Sequence, residues 1–284
     1  MVATFTHRFS RWQRYDVPTA RTVELSRPVR QNGVMNVWRI LRPPLMAGTL
    51  LAGQMARAIF RDDLPSFENQ DPSGLFGDPD SPTLRLVFLG DSSVTAPGVE
   101  PLDHSWPRQM ALHIADQYRV EAISVAVGGS KVRDLLEEQV DAALEAKPDI
   151  AYVVVGSNDA LRGTPVARFE ADFSQVVDRL HATVPAIGLS GIGDLGAIPR
   201  LPELARGVAR VRARAIDRAI ARVSARYPRT VKSNAWDVMA AFAQNPELFA
   251  GDLFHASAEG HLAFARVGAP MVDRLVEILQ EADS

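Results

Sequence analysis

Ser92, Asp252 and His255 are the residues whose types and spacing fit nucleophilic chemistry in this chain. Gly90-Asp91-Ser92 closes an apolar run at residues 84–89, which puts a hydroxyl at the end of a buried strand. A serine hydroxyl is a poor nucleophile at neutral pH and needs a base to take its proton as the new bond forms. Asp252-x-x-His255 offers an imidazole for that task, with a carboxylate near enough for one short loop to set the ring's tautomer and stabilise the imidazolium. Each element alone has a plainer reading: Gly-Asp-Ser as a helix N-cap, Asp-x-x-His as an ordinary loop pair.

Two further loops supply what acyl transfer still lacks. Val127-Gly128-Gly129-Ser130 follows a second apolar run and can bring a backbone N–H close to a substrate oxygen, since glycine has no Cβ in the way. Gly156-Ser157-Asn158-Asp159 follows a third and presents an amide donor. Donors aimed at a developing oxyanion are each typically worth about 10²–10³ in rate. A tight turn and a helix cap are the corresponding bland readings.

These loops need a frame that holds them together. Strands are predicted at 84–89, 120–127, 150–155, 186–190 and 230–234, and helices at 107–118, 132–146, 164–183, 203–226 and 257–281. Such alternation predicts a parallel five-stranded sheet covered on both faces, with ligands bound at the carboxyl ends of its strands. Residues 62–83, rich in Pro, Gly and Asp, read as a linker, which divides the chain into an N-terminal extension at 1–83 and a domain at 84–284. Within the extension, residues 34–60 are apolar between arginines, but the charge-free part, 43–56, is shorter than the roughly 20 residues of a spanning helix. That segment is expected to pack on the domain or lie on a membrane surface.

The net charge of -3 makes no case for a nucleic-acid partner, and with no cysteine there is neither a disulfide nor a thiolate metal site. Residues 1–33 show no secretory signal, so the expected location is cytoplasmic, with peripheral contact at the inner membrane face through 34–60. Gly191-x-Gly193-x-x-Gly196 fits a dinucleotide fingerprint, but Pro199 and Pro202 follow where a helix should start. The arginines from Arg206 to Arg229 read as the solvated side of a helix whose apolar side holds Leu204, Val208, Val211, Ala215, Ala219 and Val223. Trp106 reads as core.

The ordered set Gly90-Asp91-Ser92, Gly129, Gly156-x-Asn158-Asp159 and Asp252-x-x-His255 resembles the SGNH (GDSL-type) hydrolase family over about residues 84–280. The resemblance implies a flavodoxin-like three-layer α/β/α fold and hydrolysis of an ester or thioester, a small-molecule or lipid acyl ester as substrate, without metal or cofactor. It makes Ser92 the nucleophile, His255 the base and Asp252 its orienting acid. Gly129, Asn158 and the N–H of Ser92 become the oxyanion donors, with Gly128 a rival to Gly129. Two departures stand out: Ala96 and Pro97 replace glycines common in the family, and the second block lacks the asparagine often found before its glycine. Transfer of the acyl group to a lipid or glycan acceptor, and a membrane-surface binding module with vestigial chemistry, are the alternative functions. Oligomeric state is not legible.

Overall fold

The computed structural model describes residue 53 and residues 63–282; segment 34–60, read above as interfacial, therefore lies almost wholly outside the described residues. Six strands form one sheet: β1 (Gly74–Phe76), β2 (Thr83–Gly90), β3 (Arg119–Ser124), β4 (Ile150–Val154), β5 (Ala186–Ser190) and β6 (Thr230–Ser233). Their order is β1-β3-β2-β4-β5-β6, and all neighbours pair in parallel except β1 with β3. The sheet thus has one strand more than the five expected, an antiparallel edge drawn from the stretch that reads as a linker. Three residues of Gly-Leu-Phe between proline-rich flanks are too short to show a period.

Eight helices accompany the strands among the described residues. They are α1 (Ser92–Thr95), α2 (Trp106–Ile114), α3, α4 (Ser157–Arg162), α5 (Val166–His181), α6 (Glu203–Ser224), α7 (Ala235–Gln244) and α8 (Ala258–Ala282). Helix α3 runs through Val132–Asp134, a π-helical stretch Leu135–Gln139, and Val140–Glu145. Among these helices, none is long and apolar enough to cross a membrane.

Strand alternation sorts the helices into layers. Val87, Leu89, Ala151 and Val153 face one core with α3, α5 and α6, while Leu86, Phe88, Ile150 and Tyr152 face the other with α2 and α8. Strand β4 is buried along its whole length, as its unbroken apolar sequence requires. Each such Val, Leu or Ile contributes about 1.5–3 kcal/mol on burial. Both faces are therefore strongly held, and the loops at the strand ends inherit a rigid base.

Helix α6 differs from its sequence reading. Its buried face is Ala205, Ala209, Ala213, Ile216, Ala219, Ile220 and Val223, so Ala219 and Val223 are buried as read, while Leu204, Val208 and Val211 point outward. Alanines at this spacing let the helix lie close to its neighbours, a fit that a hydrophobicity pattern underrates. Arg210, Arg214, Arg218, Arg222 and Arg226 are exposed, as the sequence reading has it, yet several arginines are also engaged. Arg206 and Arg212 donate to carbonyls of the 199–201 and 159–164 segments, Arg210 pairs with Asp194, and Arg222 and Arg226 share Glu170.

Candidate active site

Strand β2 ends at Gly90, and the chain turns at once into α1 with Asp91 as its N-cap. The Asp91 carboxylate accepts from the Ser93 N–H at 2.9 Å, so Ser92 is the first helical residue and its backbone is fixed from both sides. The N-cap reading of Gly-Asp-Ser is correct for Asp91. Burial raises the Asp91 pKa, and the bonds from Ser93 and Asn158 only partly counter this.

A buried glutamine joins this turn to the next loop. Gln139 Oε1 accepts from the Gly90 N–H at 2.8 Å, and its Nε2 donates to the Gly90 carbonyl at 3.0 Å and to Ser130 Oγ at 3.1 Å. The π-helical stretch carries one residue more per turn than an α-helix, which brings Gln139 round to the sheet. Nothing in the sequence pattern marks Gln139; only its position on the π-helical turn does.

The two glycines of the 127–130 loop stand in different surroundings. Gly129 has φ +82°, a left-handed conformation that favours glycine. Gly128 is required for a different reason: a Cβ there would meet the Asn69 amide oxygen at 2.0 Å. Asn69 belongs to the 63–73 segment, which crosses this end of the sheet. Its Oδ1 accepts from Thr95 Oγ1 at 2.6 Å, and Gln70 Nε2 donates to the Ala96 and Val99 carbonyls at 2.7 and 3.1 Å. Ala96 sits at φ +46°, in the left-handed region, which explains the glycine common there in the family. The Gln70 bonds hold that turn.

Asn158, in the first turn of α4, donates through Nδ2 to Asp91 Oδ2 and to the Ser130 carbonyl, each at 3.2 Å. It therefore ties together the loops after β2, β3 and β4. Asp159, beside it, accepts from the Val132 N–H at 2.9 Å.

The last loop carries the imidazole. Asp252 Oδ1 accepts from the N–H groups of Phe254 and His255 at 3.0 Å, and Oδ2 lies 2.6 Å from His255 Nδ1. Burial works against the charged form of Asp252, but the His255 ring and these two N–H groups outweigh it and keep the carboxyl below its usual range. A bridge between Phe249 and Ala256 closes the loop, and Leu253 within it takes φ +59°. Left-handed Leu is costly and is held here by the surrounding bonds, as often at functional sites.

Ser92, Gly129, Asn158 and His255 line one groove, with Asp252 behind the imidazole. Ser92, Asn158 and His255 also line a deeper, mostly apolar cavity of about 160 Å³ that runs between Trp106, Tyr152, Phe242 and Phe264. Trp106 is thus both core, stacked edge-on against Phe88, and cavity wall. His261 is a wall residue that sequence reasoning passed over. It is buried, its Nδ1 accepts from the Trp106 N–H at 3.3 Å, and burial, aided by the nearby His255, lowers its pKa to about 3. The Gly191–Gly196 loop lines the same cavity and leads only into a short 3₁₀ turn, so it lacks the helix a dinucleotide needs.

A layered, mostly parallel α/β sheet with Ser, Gly, Asn and His gathered at its carboxyl edge defines a hydrolase of the SGNH type. Residues 88–263 match the model of the GDSL-like lipase/acylhydrolase family, and the chain belongs to that family of ester-hydrolysing enzymes. Among solved structures it is similar to LAE5, an α/β hydrolase from the metagenome of Lake Arreo, Spain, with TM-score 0.57 and 19% identity over 69% of this chain and 97% of that one. It is also similar to TesA, with TM-score 0.57 and 20% identity over 67% and 99% of the two chains. Axe2, an acetylxylan esterase from Geobacillus stearothermophilus, gives TM-score 0.54 and 18% identity over 68% and 95%. No curated protein sequence matches the chain.

Proposed function

We propose that the protein is a serine esterase that works through an acyl-enzyme on Ser92. The observation that carries this reading is the Asp252–His255 pair at 2.6 Å, set on a groove that Ser92 also lines. Asp252, kept ionised, holds the Nδ1–H tautomer and so directs the Nε2 lone pair away from itself, as a general base requires. The Ser92 oxygen attacks the ester carbonyl carbon while its proton passes to His255 Nε2. The tetrahedral intermediate then collapses, the carbon–oxygen bond to the alcohol breaks, and His255 returns the proton to the leaving oxygen. Water repeats the sequence on the acyl-enzyme, giving up a proton to His255 and releasing the acid and the Ser92 hydroxyl.

The oxyanion donors in this reading are the N–H groups of Ser92 and Gly129 and the Asn158 amide. Turn bonds occupy the neighbouring N–H groups of Ser93, Val94 and Ser130, which leaves those of Ser92, Gly129 and its rival Gly128 for substrate. Asn158 shares its amide between Asp91 and Ser130 and would lend one proton to the oxyanion. The substrate is a small-molecule acyl ester whose acyl part enters the apolar cavity beside Ser92, in keeping with the esterase named among the structural neighbours.

Hydrolysis of p-nitrophenyl butyrate by the wild type and by Ser92→Ala tests the proposal. Release of nitrophenol should fall to background in the variant; release at the wild-type rate would refute it. Product analysis in excess glycerol separates the two fates of the acyl group: free acid alone marks a hydrolase, glyceride a transferase.

A further inference from the structure

The Asn158 amide can serve an oxyanion only by giving something up. Both bonds of its Nδ2 are in use, to Asp91 Oδ2 and to the Ser130 carbonyl, each at 3.2 Å. A second amide on the same groove carries no such commitment. Asn69 lines the groove together with Ser92, Gly128 and Gly129. Its Nδ2 donates to nothing among the described residues.

Asn69 is exposed, yet it is held in place. Its Oδ1 accepts from Thr95 Oγ1 at 2.6 Å, and the next N–H, that of Gln70, donates to the Thr95 carbonyl at 2.8 Å. Thr95 is buried and closes α1, the helix that begins at Ser92. On its other side the amide lies against Gly128, where a Cβ would stand 2.5 Å from Nδ2. Phe67, two residues earlier, fills the space that Gly98 leaves open, so the segment is pinned before and after Asn69. The side chain is thus fixed between the nucleophile's helix and the 127–130 loop, the two elements that supply the backbone donors. A donor set in advance costs no reorganisation when charge develops beside it.

We infer that Asn69 is a catalytic residue of this chain: its Nδ2 donates to the ester carbonyl oxygen as that oxygen takes up negative charge. The inference rests on the reading of Ser92 as nucleophile. Asn69 stands outside residues 88–263, which match the family, so this donor comes from the segment before the sheet and not from the family's own blocks. The competing explanation is an asparagine that only seats the segment on the domain through Thr95.

Two variants separate these roles. Asn69→Asp keeps the volume and an oxygen for the Thr95 hydroxyl, and exchanges only the donor for a second acceptor. Thr95→Val keeps the amide and removes its anchor. On p-nitrophenyl acetate and p-nitrophenyl butyrate alike, Asn69→Asp should lower kcat about a hundredfold with KM changed less than about threefold, as for loss of one oxyanion donor. Thr95→Val should lose about tenfold or less. Asn69→Ala, which adds no charge, should weaken binding of butylboronic acid by the factor it takes from kcat/KM, because the boronate adduct on Ser92 also sets an oxygen in the oxyanion position. Wild-type kcat in Asn69→Asp, a loss seen in KM alone, a loss that follows a lowered urea midpoint, or an equal loss in Thr95→Val overturns the inference. In that event, continued hydrolysis of both esters by the wild type keeps the esterase reading intact. Hydrolysis of neither ester by the wild type brings down the esterase reading itself.

Discussion

The two spaces that meet at Ser92 are built by different means. The cavity side is walled by residues of regular elements, Trp106 from α2, Tyr152 from β4, Phe242 from α7 and Phe264 from α8, each fixed in the cores on the sheet faces. The groove side is walled mostly by loops, with Asn158 and Leu161 from the short helix α4: Gly128 and Gly129 after β3, Phe254 and His255 before α8, and Phe67 and Asn69 from the segment that precedes the sheet. Packing of apolar side chains holds the first, while individual hydrogen bonds at left-handed or glycine-dependent turns hold the second. The groove side should therefore yield to single polar substitutions, and the cavity side to changes of volume or buried charge.

Substitutions in the chemistry shared by both sides should have the largest effect. Asp252→Asn leaves the fold in place but no longer selects the Nδ1–H tautomer of His255, and kcat should fall about 10³–10⁴-fold whatever the acyl chain or alcohol. Steady-state kinetics on two esters of different size check this; a loss confined to one ester would mean that Asp252 shapes a pocket instead.

Next comes the joint between the two sides. Gln139→Leu strips the Gly90 N–H of its partner and releases Ser130, at a cost of about 1–3 kcal/mol in unfolding free energy. It should also lower kcat for every substrate, because Ser92 and the 127–130 loop lose their common anchor. Denaturant unfolding together with kcat measures both; unchanged kcat would reduce Gln139 to a packing residue.

On the cavity side, His261 gives a pH signature. Its folded pKa is lowered to about 3 from 6.5, so between these values the unfolded chain binds a proton that the folded chain does not. Stability should fall as pH drops through that window, with this residue contributing a slope of about 1.4 kcal/mol per pH unit. His261→Gln keeps an acceptor for the Trp106 N–H and should remove that slope. Urea unfolding across pH 4–6 is the test, and parallel curves for the two proteins would contradict the assignment.

The smallest effect belongs to the groove side. Gln70→Ala frees the Ala96 turn and should cost about 1 kcal/mol, with KM rising for bulky alcohols while small p-nitrophenyl esters are less affected. Equal loss on both kinds of ester would show that the 63–73 segment supports the whole site rather than the groove alone.

The same contrast explains what could be read from the sequence. Strands β2 to β5 and most of the helices that cover them announce themselves through unbroken or periodic apolar runs, and Ser92, Asp252 and His255 stand out as candidates through residue type and spacing. Residues 63–73 and β1 do not, because proline, glycine and acid in a short stretch look the same whether the chain is free or pinned by Asn69 and Gln70. Helix α7 follows β6 after Asn234 with no turn signal strong enough to separate the two. Gln139 is invisible because a π-helical turn has no period of its own. Why residue 128 must be glycine is equally hidden, since Asn69 arrives from about 60 residues upstream.

Reaction with a fluorophosphonate, followed by peptide mapping, tests the central claim most directly, because it reports both which hydroxyl is nucleophilic and what activates it. The account predicts one adduct, on Ser92, formed at least about a hundredfold more slowly in His255→Ala. An adduct on another residue, or labelling of Ser92 at the same rate without the imidazole, would contradict it.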